Sequence, residues 1–322
     1  MSAFIDENRG RFGVELICRT LGVSASAYYQ RKTGARSARA LEDERLTAKI
    51  REIHRENYEC YGQRRMHAAL VRAGESVGRD QVARLMRGAG LRGAKRRGKP
   101  WRTTIADPTA RRPADLVKRD FTAPAPDRCW VGDFTYLRCW EGRVYFSFVL
   151  DVYSRYLVGW QLAGHMRTTL VLDALRMALG TRRPEAFMLV SHSDAGSQYT
   201  SQDYQQQLTD ARVLASIGTV GDAYDNAMAE SFVDTFKTEL IADRVWRTRS
   251  QLELAVVEYV GWYNAARLHS ALGYRPPAEV EAAWRSSRMF EPLLAQAAST
   301  AALLPAPLPG LDGTSGLLIH TH

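Results

Sequence analysis

The 322-residue sequence lacks the features of several large classes of protein. It has only four cysteines, with no CxxC pair and no histidine at zinc-ligand spacing, so it predicts reduced thiols in the core. No apolar run approaches the roughly 18 residues that a transmembrane helix needs. No charged segment followed by an apolar block opens the chain, so no signal peptide is expected. The expected location is the cytoplasm.

Two catalytic motifs are also missing. The segment from Gly93 to Pro100 has the glycine spacing of a phosphate-binding loop, but Pro100 replaces the Ser or Thr that would hold magnesium, and no strand precedes it. His192, Ser193 and Asp194 are adjacent, which on a strand sends them alternately to opposite faces, and there is no GxSxG elbow. Nucleotide hydrolysis is therefore rejected, and a serine or histidine hydrolase is a disfavoured rival.

Charge is distributed unevenly along the chain. Residues 1–125 contain 27 Lys and Arg against 14 Asp and Glu, a net charge of +13, whereas residues 126–322 contain 17 against 21, a net charge of −4. A basic front on a near-neutral body is typical of nucleic-acid binding, because neutralising phosphates releases counterions and gives sequence-independent affinity. A solubilising surface is the alternative interpretation.

Helical patterns dominate the basic front. Residues 1–40 predict a partial helix-turn-helix-like segment, whose second helix starts at Ser24 or Ser26. Residues 41–95 predict a helical DNA-binding domain, in which two short helices flank a turn at Gly74. A helical hairpin with a purely structural role is the alternative. The side chains expected to contact DNA are Arg64, Arg65, Arg79, Gln81, Arg84 and Arg87.

The pattern changes to strands after a linker. Residues 96–125 are basic and contain several prolines, which predicts a semi-extended tether. Residues 126–290 predict an α/β catalytic core with C-terminal helices, and residues 291–322 a disordered tail. The expected order is strands at 129–139, 144–152 and 156–162, a helix at 168–180, a strand at 186–192, a helix at 203–211, a strand at 213–217 and then a further helix. Such an order indicates a mixed five-stranded sheet with flanking helices.

Three acidic residues carry the chemistry that the sequence predicts. Asp133 lies within the first strand, Asp194 follows an apolar strand, and Glu230 lies 36 residues later in a helical pattern. A carboxylate in an apolar strand costs folding free energy unless a partner or a metal ion offsets its charge. Phosphodiester chemistry uses two divalent ions held by carboxylate oxygens from several directions. Three acids on three separate elements can supply these ligands, which indicates a metal-dependent polynucleotidyl transferase.

The helix that contains Glu230 is predicted to be amphipathic. At about 100° per residue, Glu230 and Lys237 lie on a polar face, whereas Phe232 and Phe236 lie on the apolar one. An ordinary exposed helix explains this projection equally well. It does not explain the two aspartates in apolar strand contexts.

Structural roles are the alternatives for several acids. Asp133 can be a buried carboxylate satisfied by the backbone or by an arginine, and Asp151, at the end of the second strand, can be a structural acid. Asp222 and Asp225, together with Asn226, are expected to cap the helix that follows them.

Short motifs in a fixed order cover about residues 45–285. The motifs are YGQRR from Tyr61, RLMR from Arg84, WVGDFTY from Trp130, DVYSR from Asp151, HSDAGSQY from His192, DNAMAESF from Asp225, KTEL from Lys237 and YNAARLHS from Tyr263. In these motifs the chain resembles the bacterial insertion-sequence transposases of the DDE type. Their second reading frame encodes a helix-turn-helix-like segment followed by a retroviral-integrase-like core.

The resemblance implies a ribonuclease-H-like core in which Asp133, Asp194 and Glu230 are the catalytic triad. It implies that the three acids ligate two Mg²⁺ or Mn²⁺ ions, that Asp133 bridges both, and that Lys237 contacts DNA. The implied reaction hydrolyses one strand at the element's end and uses the freed 3′-hydroxyl to attack another phosphodiester.

The implied partners are DNA, further copies of the chain in a homo-oligomer, and an upstream-frame product or fusion that completes the helix-turn-helix. The alternatives left open are a catalytically inactive DNA-binding or regulatory relative and a ribonuclease-H-like nuclease without joining activity.

Overall fold

The computed structural model describes residues 1–33, 36–95, 113–218, 226–242 and 244–288. Three expectations lie outside these residues: the basic part of the linker, the helix caps Asp222 and Asp225, and the disordered tail. The described residues form two helical units followed by an α/β domain.

The first helical unit contains α1 (Ser2–Phe12), α2 (Val14–Thr20) and α3 (Ala25–Thr33). Its small core is built on Ile5, Ile17 and Tyr28. The predicted pair α2 and α3 is confirmed, and the Ser24 hydroxyl accepts a hydrogen bond from the Ala27 amide at 3.4 Å. Helix α1 has no counterpart in the sequence prediction, because its eleven residues bury only Ile5.

The second unit contains α4 (Ala38–Glu56), α5 (Gln63–Arg72) and α6 (Arg79–Gly88). Apolar residues at helical spacing, among them Ile50, Met66, Leu70 and Val82, are fully buried where the three helices meet. The turn between α5 and α6 contains Gly74 at φ 82°, a conformation that glycine adopts at little cost. The two helices around this glycine are confirmed.

The α/β domain is built on a five-stranded sheet with the order β3-β2-β1-β4-β5. The strands are β1 (Cys129–Cys139), β2 (Gly142–Asp151), β3 (Leu157–Ala163), β4 (Val190–Ser193) and β5 (Leu214–Ile217). The first three pair antiparallel as a meander, whereas β4 and β5 run parallel to β1. The predicted mixed sheet and the ribonuclease-H-like fold are confirmed.

Helices cover both faces of this sheet. They are α7 (Thr168–Arg182), α8 (Gln202–Asp210), α9 (Ala227–Phe236), which continues into a π-helical turn (Lys237–Ile241), and α10 (Arg249–Ala265). Helices α7 and α8 share a core with Trp130 and Val149 on one face, whereas α9 and α10 pack against Val131 and Phe148 on the other. A further helix runs from residue 277 to 288, the last described residue.

Strand β4 is shorter than the apolar run that predicted it. Residues 186–188 form a turn in which Phe187 has φ 60° and donates its amide to the Arg212 carbonyl at 2.7 Å. The prediction of a strand from 186 was wrong, because apolar composition does not reveal the turn geometry. Asp194 nevertheless directly follows the strand.

The described end of the predicted linker lies against the α/β domain. Val117 and Ala125 are buried, and the Leu116 amide donates to the Ser216 hydroxyl on β5 at 2.9 Å. All four cysteines are unpaired, as expected, and three of them are buried. Among the described helices, none is long and apolar enough to cross a bilayer.

Candidate active site

Two of the three predicted acids lie side by side on neighbouring strands. In the parallel pairing of β1 with β4, Gly132 lies opposite Ser193, so Asp133 and Asp194 follow at the same level. Neighbouring strands lie about 4.8 Å apart, and residues at one level of a parallel pair face the same side. The sheet register therefore brings the two carboxylates together at the carboxyl end of β4.

The surroundings of Asp133 disfavour its charge. Burial, the neighbouring Asp194 carboxylate and, to a smaller extent, Glu230 raise the pKa of Asp133 well above its usual range. The Phe134 amide donates to its Oδ1 at 2.7 Å, and this bond and the Lys237 ammonium only partly offset the increase. A carboxylate satisfied by structural partners fits poorly with this environment. A divalent cation would offset the clustered negative charge.

A tight turn holds Asp194 in place. The Gly196 amide donates to Asp194 Oδ1 at 3.1 Å, and a Cβ atom on residue 196 would lie 3.0 Å from the same oxygen. Tyr199 is buried, donates its amide to the Gly196 carbonyl at 3.1 Å and packs its ring beside Phe134 of β1. The loop after β4 is thus fixed against the strand that carries Asp133.

Helix α9 presents Glu230 on its exposed side, as the sequence predicts. Phe232 packs on Phe148, with ring centroids 4.4 Å apart, and Phe236 stacks on Phe146 at 4.7 Å. Burial and the negative charges of neighbouring carboxylates raise the pKa of Glu230. Asp194 is one of these neighbours, so electrostatic interactions connect all three acids.

The first turn of α9 differs from the prediction. Asn226 precedes the helix but makes no side-chain cap; instead its Nδ2 donates to the Gly132 carbonyl at 3.3 Å. The prediction that Asn226 caps the helix was wrong, because its amide binds the β1 backbone one residue before Asp133. This bond ties the start of α9 to the site, and neither composition nor spacing signals it.

Lys237 lies where α9 changes into the π-helical turn. Its Nζ is 5.0 Å from the centre of the Tyr136 ring on β1, and burial lowers its pKa. The negative charge of Asp133 acts in the opposite direction and raises the pKa of Lys237, so the two groups are close enough to interact electrostatically. A cavity beside Lys237 is lined by Tyr136, Leu137, Arg138, Lys237, Ile241, Arg244 and Trp246.

Asp151, the competing acid, has a structural role. It is fully buried, and its Oδ1 accepts bonds from the Ser154 amide at 2.7 Å and the Ser154 hydroxyl at 2.8 Å. Its Oδ2 accepts from the Asp127 amide at 2.7 Å. Burial raises the pKa of Asp151 to about 6. These bonds tie the end of β2 to neighbouring loops.

The geometry also disfavours the hydrolase rival. His192 and Ser193 are both buried, and His192 Nδ1 lies 2.8 Å from the Ser216 hydroxyl on β5. The imidazole is therefore engaged across the β4–β5 pair.

The residues of the second helical unit that are predicted to contact DNA divide into two groups. Arg64, Arg79 and Arg87 are exposed on α5 and α6. The others contact acidic side chains: Arg84 Nη2 and Gln81 Nε2 donate to Asp43 Oδ1 at 2.8 and 3.3 Å, and Arg65 Nη1 donates to Glu239 Oε1 at 2.9 Å. Their role in DNA binding stays a prediction.

The donor chemistry of the three acids suits a hard divalent cation, since all are carboxylates and two of them repel each other. Within the described residues, no three His, Cys, Asp or Glu side chains are yet gathered closely enough to hold a metal ion. The carboxylates of Asp133, Asp194 and Glu230 are suitable ligands for such an ion, and their side chains would have to change rotamer to bind it together.

The five-stranded mixed sheet and its flanking helices define a protein with a ribonuclease-H-like catalytic domain. Family models for an integrase core domain match residues 123–223 and 211–277, and a model for an HTH-like domain matches residues 41–99. The transposase for insertion sequence element IS629 of Shigella sonnei is 44% identical over 292 residues, 89% of this chain and 97% of that protein. The transposase for IS904 of Lactococcus lactis is 36% identical over 76% of this chain and 96% of its own length.

The chain belongs to the family of insertion-sequence transposases with an integrase core. Among solved structures, the catalytic core domain of BIV integrase is 17% identical, with a TM-score of 0.37, over 51% of this chain and 99% of that chain.

Proposed function

We propose that this chain is a DNA transposase that cleaves a strand at the ends of an insertion sequence and joins the freed 3′-hydroxyl to a new phosphodiester. In this proposal Asp133, Asp194 and Glu230 are the catalytic residues, and they hold two Mg²⁺ or Mn²⁺ ions. The observation that carries it is the register of β1 and β4, which sets Asp133 beside Asp194 under the helix that bears Glu230.

The three carboxylates differ in what they can do. Asp133 interacts electrostatically with both other acids, since the charges of Asp194 and Glu230 raise its pKa, and it would contribute oxygen ligands to both ions. Asp194 would complete one site and Glu230 the other. When bound, the ions would activate the attacking oxygen and offset the charge on the leaving oxygen.

Lys237, directly after α9, supplies a positive charge that acts on Asp133. Its partly buried ammonium, held beside the Tyr136 ring, would bind a phosphate of the DNA end and orient it toward the carboxylates. The exposed residues Arg64, Arg79 and Arg87 would hold DNA at the helical unit by phosphate contacts.

The test is a strand-joining assay with labelled oligonucleotides copied from the inverted repeats that flank the gene, in magnesium or manganese. Glu230→Gln should abolish joined product, a loss of at least about a hundredfold, while binding to the same oligonucleotides is retained. Glu253→Gln, the same change on an exposed residue of α10, is the matched control and should join DNA like the parent.

Each failure has a distinct meaning. Equal joining by the parent and Glu230→Gln would refute the triad. Cleavage without joining would favour a ribonuclease-H-like nuclease. Binding without any product, even after the upstream-frame product is added, would favour a catalytically inactive DNA-binding relative.

A further inference from the structure

The Glu239 carboxylate, in the π-helical turn after α9, lies at the centre of a buried network. Arg267 donates to it twice, from Nε to Oε2 at 2.7 Å and from Nη2 to Oε1 at 2.6 Å. The Tyr259 hydroxyl donates to Oε2 at 3.0 Å, and Arg65 Nη1 donates to Oε1 at 2.9 Å. Although burial acts in the opposite direction, Arg267 holds the pKa of Glu239 below its usual range, so the group is ionised at neutral pH.

The network joins three of the short sequence motifs. Arg65 ends the YGQRR motif on α5, Glu239 belongs to KTEL, and Arg267 lies in YNAARLHS after α10. Arg65 and Glu239 are 174 residues apart in the chain. A helical unit distant in sequence is thereby attached to the segment that continues α9.

Further bonds show that this contact is a docked surface. The Tyr61 hydroxyl accepts the Leu268 amide at 2.8 Å, and Leu268 is buried in the core of the second helical unit. Trp262 Nε1 of α10 donates to Asn57 Oδ1 at 3.1 Å. The bond of Arg65 to Glu239 is therefore one contact of a larger interface between the α4–α6 unit and the α/β domain.

The position of Glu239 relates this interface to the site. It lies nine residues after Glu230 and two after Lys237 on one continuous helical stretch. Phe236 and Leu240, on the same stretch, are fully buried, so displacement at Glu239 would move the neighbouring turns together. Close-packed interiors transmit such displacements.

We propose that Glu239 is a positioning residue, and that its bond to Arg65 makes the placement of Lys237 and Glu230 depend on docking of the α4–α6 unit. The inference rests on the proposed function for its catalytic consequence. It also reassigns Arg65: the residue holds two parts of the chain together and does not bind a DNA phosphate.

Arg65→Met is the informative variant, because it removes the hydrogen bond from Arg65 to Glu239 and leaves Glu239 paired with Arg267. The buried carboxylate keeps its charge partner, so the variant should fold. Arg39→Met, the same change at an exposed position in α4, is the matched control. Arg65→Lys keeps a positive donor and tests rescue.

The first measurement is hydrogen exchange of peptides that span residues 227–241. Loss of one charge-assisted hydrogen bond corresponds to roughly tenfold in an equilibrium, so Arg65→Met should speed exchange there by about tenfold or less, yet clearly beyond Arg39→Met. Arg65→Lys should recover most of the protection. Unchanged exchange in Arg65→Met would overturn the proposal.

The second measurement is the joining reaction. Arg65→Met should lower kcat by about tenfold and leave the KM for the DNA end within about twofold of the parent, because the proposal assigns Arg65 to Glu239 and not to a DNA phosphate. A weaker affinity with a salt slope reduced by about one, and normal kcat, would instead identify Arg65 as a phosphate contact. Because exchange does not require turnover, a parent that joins no DNA would count against the proposed function and leave the positioning test decisive.

Discussion

Replacing Gly159 with alanine should destabilise the α/β domain strongly, because strand β3 and helix α7 touch at this residue. A Cβ atom there would lie 2.2 Å from the Ala174 carbonyl oxygen, 2.8 Å from the Ala178 amide nitrogen and 2.9 Å from the Ala178 Cβ. Ala174 and Ala178 are both fully buried, so the added methyl group has no space to enter. The backbone angle of Gly159 is one that alanine adopts, so the effect comes from space alone.

The magnitude follows from the shortest contact. A carbon and an oxygen atom approach to about 3.3 Å, so α7 must move by roughly 1 Å or β3 must bend. Overpacking of a core costs about 1 to 3 kcal/mol, and a clash with backbone belongs at the upper end, so we expect about 3 kcal/mol. For a domain of this size that corresponds to a Tm lower by roughly 6 to 12 °C.

Thermal unfolding followed by circular dichroism measures this effect, and Gly180→Ala is its matched control. Gly180 is exposed in α7 itself, and an added Cβ atom would meet nothing within 4 Å. Alanine in a helix is favoured over glycine by about 0.5 to 1 kcal/mol, so this variant should be slightly more stable than the parent. A Gly159→Ala protein that melts within about 1 °C of the parent would refute the packing argument.

Two further predictions concern buried and clustered carboxylates. The pKa of Asp151 in the folded protein is raised to about 6, so ionisation of this carboxyl group lowers the free energy of unfolding. This loss of stability is absent below about pH 4, grows as the pH rises to about 6 and is complete above it. The stability of Asp151→Asn relative to the parent should therefore increase by up to about 3 kcal/mol between pH 4 and 7, and a difference that is flat with pH in thermal melts would contradict this. Magnesium or manganese at about 100 times Kd should stabilise the folded parent by about 2.7 kcal/mol and so raise its Tm, and EDTA should reverse this increase. Asp133→Asn should lose most of this shift, and an equal shift in both proteins would place the ion elsewhere.

Much of the fold could be predicted from local signals in the sequence. Strand β1 has the predicted bounds because its alternating pattern is long, and α2 and α3 follow from a turn and a Ser24 cap. These sequence signals did not predict the structure where a less common backbone geometry has the same apolar pattern as a common one. The run at 186–189 is apolar like a strand but contains a turn at Phe187, and the π-helical turn after α9 has nearly the same apolar spacing as an α-helix.

Long-range contacts of polar groups could not be predicted. The sequence marks Asp133 and Asp194 as unusual because one lies within an apolar strand and the other directly follows one, but only the strand register makes them neighbours. Arg65 had the charge and the helical position of a DNA contact, and its bond to Glu239 depends on residues far apart in the chain. Charge patterns indicate that a side chain has a partner and leave open whether that partner is a phosphate or a carboxylate.

The clustered acids must be held together by something other than their own interactions. Two carboxylates about 5 Å apart repel by roughly 3 kcal/mol at an effective dielectric constant of 20. The pairing of β1 with β4 holds Asp133 beside Asp194 against this repulsion. Burial of Phe232 and Phe236, worth about 2 to 3 kcal/mol of transfer free energy each, fixes the helix that carries Glu230 on the sheet.

The same repulsion gives Asp133→Asn opposite effects with and without metal. In EDTA the substitution removes a charge that burial and Asp194 disfavour, so the variant should melt at the parent's temperature or above. In magnesium or manganese the parent should become the more stable protein, because only its full set of carboxylates can hold the ions. Thermal melts of both proteins in the two buffers measure whether the more stable protein changes from the variant in EDTA to the parent in metal. A variant less stable than the parent in EDTA would show that Asp133 is a structural carboxylate satisfied by its neighbours.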